Sequence, residues 1–407
     1  MSARKFTVAA ALVASALSST ALAQDLVVKG ERVYTMAGAA IENGVVVIES
    51  GKIVAVGPEA TTEIPEGYEQ LSAAVVTPGL VDAHTVVGLT GYSNQPDEQD
   101  FLETSSPIQP ELRAIDAYNP DERLVDWVRG FGVTTLHTGH GTGALVSGQT
   151  MVVKTTGLTV DDAMVERRAM LAGHIGPGAL GDGGKAPGTR PKQIAMLRAA
   201  LIKAQGGTDK DDKDDKDDAA KRDLQAEVIR DVLAKKLPLM ITANRAQDIM
   251  GALRLKEEFD IEVVIDGAAE AYLLLDELRE AGVSVILHPT MTRQFGDYAN
   301  ASFTTAATLR GAGIPFALQS GYEAYVPKTR VVLWEAGFAA ANGLAFEDAL
   351  RSITIDAARI IGVGDEVGSL EPGKDGDIAM FDGDPFEYTT HVTGVVIDGV
   401  VVSREAN

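Results

Sequence analysis

A TIM-type (β/α)8 barrel of the α/β class, carrying a small β-sandwich domain built from both termini, is the fold that this 407-residue sequence predicts. Three observations point to it. Apolar strand patterns alternate with helical ones through the middle of the chain, eight strand ends can be counted there, and β-rich runs recur at both ends.

The first 23 residues have the pattern of a signal peptide, with Arg4 and Lys5, an apolar run from Phe6 to Leu17 and a small-residue cleavage site at Ala21-Leu22-Ala23. The expectation is an exported, periplasmic protein whose mature part begins near Gln24. No later run reaches the roughly 20 apolar residues needed to span a bilayer, so no integral membrane segment is expected in the mature chain. Residues 24–76 supply the first part of the sandwich, as short valine-rich runs punctuated by Asn43-Gly44 and Ser50-Gly51. Residues 77–363 form the barrel, with strand ends at Thr85, Gly139, Gly157, Gly176, Asn244, Ala268, Pro289 and Ser320. Between them lie amphipathic stretches such as AQDIMGALRLKEEF and AAEAYLLLDELREAG, apolar at three-to-four spacing. The run from Thr208 to Asp223 alternates lysine and aspartate without the turn glycine and closing glutamate of a calcium loop, and reads as a solvated insertion. Residues 364–407 complete the sandwich, with Asp398-Gly399 as a hairpin turn.

Cysteine is absent, which excludes disulfides and thiolate chemistry and leaves only nitrogen and oxygen donors for any metal. With 36 basic against 58 acidic residues and a net charge of −22, the chain lacks the basic footprint that nucleic acid and anionic lipid require. A small molecule is the expected partner, and a homo-oligomer stays open.

Pro78-Gly79-Leu80-Val81-Asp82-Ala83-His84 leads into the barrel, and Gly368-Ser369-Leu370-Glu371-Pro372-Gly373-Lys374-Asp375-Gly376-Asp377 leads out of it. With the stretches Ala243–Ile249 and Thr354–Gly362, they make the whole mature chain resemble the amidohydrolase superfamily, in its imidazolonepropionase-like branch. The resemblance implies hydrolysis of C–N bonds in amides and cyclic amides, with one or two metal ions held at the carboxyl ends of barrel strands. The ligand pattern departs from the family at almost every position. The second histidine of the first strand falls on Val86, the fourth strand offers no lysine, the fifth- and sixth-strand histidines fall on Thr242 and Gly267, and the eighth-strand aspartate falls on Ser320. Only His84 remains, and the ordinary metal centre cannot form from it alone.

Five of the six histidines, His84, His137, His140, His174 and His288, fall at or just beyond predicted strand ends, with His391 apart in the terminal sheet. On the expected strand order His84, His137, His140 and His288 converge while His174 lies opposite. Three arrangements stay open. His84, His137 and His140 hold a divalent metal such as Zn at a relocated site, with Glu270 or Asp266 as an oxygen ligand. Alternatively His84, His137, His288 and Glu270 supply acid and base without metal. In the third, the imidazoles only fill space that a metal would otherwise occupy. The glycine-rich segment from His137 to Thr150 reads as a loop lining the mouth, and Ser147 lacks a nucleophile elbow. Arg190, Arg245, Arg293 and Tyr322 are the candidates for holding substrate, with Glu323, Tyr325 and Lys328 on the same last loop and Lys154 lining the third strand. The functional expectation is an exported hydrolase of a small amide or cyclic amide that works without the family's ordinary metal centre. The alternative is a non-catalytic barrel that binds a small ligand.

Overall fold

The structure is a computed structural model that describes residues 25–93, 95–206, 222–321 and 331–407. The leader at 1–23, the charge run as far as residue 221, and Tyr322, Glu323, Tyr325 and Lys328 lie outside the described residues.

Four strands open the chain, β1 (Leu26–Val33), β2 (Ile41–Glu49), β3 (Lys52–Pro58) and β4 (Glu69–Pro78). The middle supplies β5 (Leu80–Thr85), β6 (Val133–Thr138), β7 (Val146–Gln149), β8 (Met151–Lys154), β9 (Met164–Glu166) and β10 (Leu171–His174). It continues with β11 (Leu239–Ala243), β12 (Val263–Gly267), β13 (Ser284–Leu287) and β14 (Phe316–Leu318). Last come β15 (Ile378–Phe381), β16 (Val392–Ile397) and β17 (Val400–Ser403).

The two ends of the chain pair as a single sheet in the order β17-β16-β15-β4-β1-β2-β3. The expected sandwich therefore resolves, at the level of strand pairing, into one seven-stranded sheet assembled from both termini. Its hairpins carry the anticipated turn chemistry. Ser50 and Gly51 take φ of 49° and 84° between β2 and β3, and Asp398 and Gly399 take 49° and 72° between β16 and β17. Both positions of each turn need positive φ, which Gly, Asn, Asp and Ser reach at least cost.

The middle of the chain is a TIM-type α/β arrangement of two sheets, β14-β13-β12-β11-β10-β7 and β5-β6-β8-β9. From β10 to β14 every neighbour is parallel, as the alternation of strands and helices predicts. The helix Ala246–Phe259 fills the predicted stretch between β11 and β12. The stretch after β12 is helical only from Leu275 to Ala281, because a 3-10 turn at Ala271–Leu273 takes up its start.

The third predicted strand is corrected. Val146–Lys154 runs antiparallel to both neighbours, pairing through β8 with β6 and through β7 with β10. Only a short segment separates β6 from β7. A parallel neighbour would need a crossover of a dozen or more residues, so the chain turns back on itself instead. Lys154 consequently lies away from the strand ends where function was expected. It is buried at the junction with the terminal sheet, where its Nζ meets Asp375 at 2.9 Å, Asp377 at 2.5 Å and Asp398 at 3.2 Å. These carboxylates outweigh burial and hold its ammonium above the usual lysine range.

One apolar cluster contains residues of both middle sheets, among them Val81, Ala83 and Val152 with Ala172, Met240, Val264, Ile286 and Ala317. The larger cluster lies between the sheets and the helices. The sheets also touch at their margins, through a parallel bridge between Thr85 and Gly321 and through backbone hydrogen bonds linking Thr150 to Ala169 and Met170.

Candidate functional site

Successive side chains of a strand point to opposite faces, so positions two apart share one. Counting up from the shared apolar cluster, Ala172 leads to His174, Met240 to Thr242 and Asn244, Val264 to Asp266, Ile286 to His288 and Ala317 to Gln319. An apolar layer is thus capped by a polar one at the carboxyl ends of the strands. The pairing of β5 with β6 shifts between Asp82 and Thr85, which departs from strict alternation at His84. The ring then meets Asp266, with Nδ1 2.9 Å from Oδ1.

Asp266 is the hub of this layer. Its Oδ1 also accepts the Gln319 amide at 2.6 Å and its Oδ2 accepts the Thr242 hydroxyl at 2.6 Å. Burial alone would raise the carboxyl, but the His84 charge and these hydrogen bonds hold it below the usual carboxylate range. Burial likewise pushes the His84 imidazole down, and Asp266 more than reverses this, so it stands above its ordinary value. Thr242→Val keeps the shape of the side chain and removes one donor to a buried carboxylate, with an expected loss of about 2 kcal/mol of stability. The denaturation midpoint checks this, and an unchanged midpoint would show that Thr242 does not hold Asp266.

His137 lies beside this pair, with its ring centroid 5.8 Å from that of His84. Its Nδ1 faces the Ala83 carbonyl at 2.6 Å and its Nε2 faces the Thr150 hydroxyl at 2.6 Å. A carbonyl can only accept, so Nδ1 carries the proton and Nε2 accepts from Thr150. Burial, joined by the nearby His84 charge, depresses this imidazole to about 3. His140 is also buried and neutral, pushed by burial to about 4, and neither ring nitrogen has a hydrogen-bond partner among the described residues. It packs against Gly148, where a Cβ would stand 2.3 Å from Nε2. His174, depressed by burial to about 4, leaves Nδ1 without a partner among the described residues. His288 reaches the Gln319 carbonyl at 3.4 Å, and His391 pairs with Asp382 on the surface.

Ser320, at the family's aspartate position, donates its backbone N–H to Asp82 at 3.0 Å and its hydroxyl lies 3.2 Å from that of Thr85. Burial lifts the Asp82 carboxyl to about 7. Several predicted catalytic and substrate-binding groups are engaged elsewhere. Glu270 accepts the Ala246 N–H at 2.7 Å and the Asn300 amide at 2.7 Å, which ties two loops together. Arg190 forms a two-point ion pair with Asp248 at 2.5 and 3.1 Å. Arg245 bridges to Asp297 at 3.1 Å and the Gly296 carbonyl at 2.7 Å, and Arg293 is exposed.

The residues present do not fit a resident metal ion. Among the described residues no group of three or more His, Asp or Glu side chains is placed to hold one. The relocated set of His84, His137 and His140 is corrected for a physical reason. His84 turns Nδ1 to Asp266, and both ring nitrogens of His137 are engaged by Ala83 and Thr150, so the three rings do not present a nitrogen each to one ion.

Residues 215–403 match the model of the Amidohydrolase family. An amidohydrolase from Thermotoga maritima MSB8 superposes with a TM-score of 0.86 and 29% identity, covering 93% of this chain and 100% of its own. This chain belongs to the amidohydrolase superfamily. Imidazolonepropionases place this amidohydrolase-superfamily member on their branch. The one from Paracoccus denitrificans is 26% identical over 373 residues, 84% of this chain and 88% of its own. The one from Caldanaerobacter subterraneus is 22% identical over 392 residues, 90% of each. An adenosine deaminase from Xanthomonas campestris with bound zinc shares the fold at a TM-score of 0.56 and 17% identity. In this chain His84 pairs with Asp266 at the strand ends, and among the described residues no group of three or more metal-binding side chains accompanies the pair.

Sequence reasoning overlooked Gln319 and Asn244. The alternation that starts from Ala317 and Met240 is the signal that finds both.

Proposed function

We propose that this protein takes a small amide or cyclic amide into the mouth of a closed barrel without a metal ion, as an exported member of its hydrolase superfamily. The observation that carries the reading is a set of buried polar atoms around the His84–Asp266 pair that have no hydrogen-bond partner among the described residues. They are Nδ1 and Nε2 of His140, Nδ1 of His174, Oδ1 of Asn244 and Oε1 of Gln319. Buried polar groups are seldom left unpaired, and each costs about 1–3 kcal/mol when it is. A neutral imidazole donates from one nitrogen and accepts at the other, while the two amide oxygens accept. Such a set matches a ligand with both C=O and N–H groups. The sheet margins at Thr85–Gly321 and Thr150–Met170 support reading the two middle sheets as one barrel wall. The imidazolonepropionase relatives support the ligand class, and the pattern of residues 1–23 supports export.

A second reading, metal-free hydrolysis at the same mouth, is favoured by His140. Held neutral with open nitrogens, it can take a proton from an attacking water and return it to the leaving amine. Thermal shift and turnover are measured together on N-acyl amino acids, dipeptides and hydantoin-like rings, with and without chelator. At least one compound is expected to raise the melting temperature, and His140→Ala or Asn244→Ala should abolish the rise. Turnover that survives chelation and vanishes in His140→Ala establishes the hydrolytic reading. Turnover that chelation removes overturns both, and a panel without any shift overturns the binding reading.

A further inference from the structure

Both tryptophans of the chain lie on one face, and the described residues leave each about half exposed. Trp127, on the helix Arg123–Gly130, is 46% exposed, and Trp334, on the helix Val332–Ala341, is 49% exposed. Phe131 lies between them and meets both edge to face, its ring centroid 5.0 Å from Trp127 and 5.3 Å from Trp334. Beyond Trp334 the row opens into a groove of about 830 Å3 lined by Phe338, Phe381 and Phe386, with Tyr388 fully exposed at its lip. Beyond Trp127 it runs on to Val401 and Val402 of β17, an edge strand of the terminal sheet. Scattered exposed apolar residues need no explanation, but a continuous aromatic row beside an open sheet edge marks a contact surface.

Charge decides what fits it. Along the row, Asp126 and Arg129 neutralise each other, and Arg404 is paired with Glu69. Arg123, stacked on Tyr92 at 4.2 Å, lines the Trp127 end, and Glu387 lines the groove at the Trp334 end. A surface with a cation at one end, an anion at the other and aromatics between is complementary to itself after a half-turn. That is the requirement of a two-fold contact, in which each patch meets the same patch. We propose that this face seats a second copy of the chain, Arg123 of each molecule lying over Glu387 of the other, with the two tryptophans at the centre, where such interfaces concentrate their binding energy.

Because the chain's only tryptophans sit in the contact, their emission reports its occupancy. Light scattering and fluorescence are recorded together on the whole protein over a dilution series. The expected result is a mass of two chains that falls to one on dilution, with emission moving to the red in step. Trp334→Glu should give the one-chain mass with an unchanged far-ultraviolet circular dichroism spectrum. Arg123→Glu should weaken dimerisation about tenfold or more, and adding Glu387→Arg to it should restore the dimer. Three results overturn the proposal. They are a one-chain mass at every concentration, a dimer that survives Trp334→Glu, and blue emission that ignores dilution because the chain itself covers the face.

Discussion

Asp266→Asn is expected to lower the unfolding free energy by about 3–5 kcal/mol, the scale for removing one partner of a buried ion pair. Asp266 and His84 are both fully buried, so the change leaves either an uncompensated imidazolium or an imidazole forced to lose its proton. Replacing both, as His84→Gln with Asp266→Asn, removes the stranded charge and should recover a good part of the loss. The pair also fixes a pH window. His84 is raised in the folded state, so its contribution is complete below the unfolded imidazole value and is lost as pH rises through the folded one. Asp266 is depressed, so its contribution is present above the unfolded carboxyl value and is lost as pH falls through the folded one. Asp266→Asn should therefore also flatten the alkaline decline. Chemical denaturation at neutral and alkaline pH checks both, and a loss below about 1 kcal/mol would show that the pair does not hold the strand ends together.

Acid is expected to unfold this protein early, between pH 6.5 and about 4. His137, His140 and His174 are buried and neutral, with folded values of about 3, 4 and 4 against an ordinary 6.5. Over that range the unfolded chain binds protons that the folded chain refuses, so stability is present above pH 6.5 and falls by about 1.4 kcal/mol per pH unit for each group. Asp82 works the other way. Its carboxyl, lifted to about 7, keeps its proton in the folded state where the unfolded chain has released it, which offsets roughly one histidine. The net slope is then about 3 kcal/mol per pH unit. His140→Gln should remove about one histidine's share. Denaturation midpoints across this range decide the matter, and a flat profile would show that these rings take up protons without unfolding.

The repeated strands and the two-ended terminal sheet were legible because each rests on local pattern. Valine-rich runs with Ser50-Gly51 or Asp398-Gly399 between them specify hairpins whatever the rest of the chain does. The reversed third strand was not read, although the shortness of the segment between His137 and Val146 contains the argument for it. The histidines were found, but what they do was not. Nothing near His84 in the sequence says that its partner is Asp266, because that contact depends on a register shift in β5 and on the packing of distant strands. Arg190 and Glu270 misled for a related reason. Their neighbours Asp248 and Asn300 lie far along the chain, and a charged side chain near a strand end looks the same from sequence whether it faces a ligand or a loop.

The antiparallel third strand bears on the order in which the molecule assembles. β8 and β9 each follow closely in sequence on the strand they pair with, so the β6-β8-β9 part of the wall forms from contacts that cost little chain entropy. The seam between Thr85 and Gly321 joins residues from opposite ends of the same stretch and depends on everything in between. The meander is therefore expected to zip up first and the seam last. Asp82 and Ser320, bonded across that seam, then act as a latch that engages only on a nearly finished molecule.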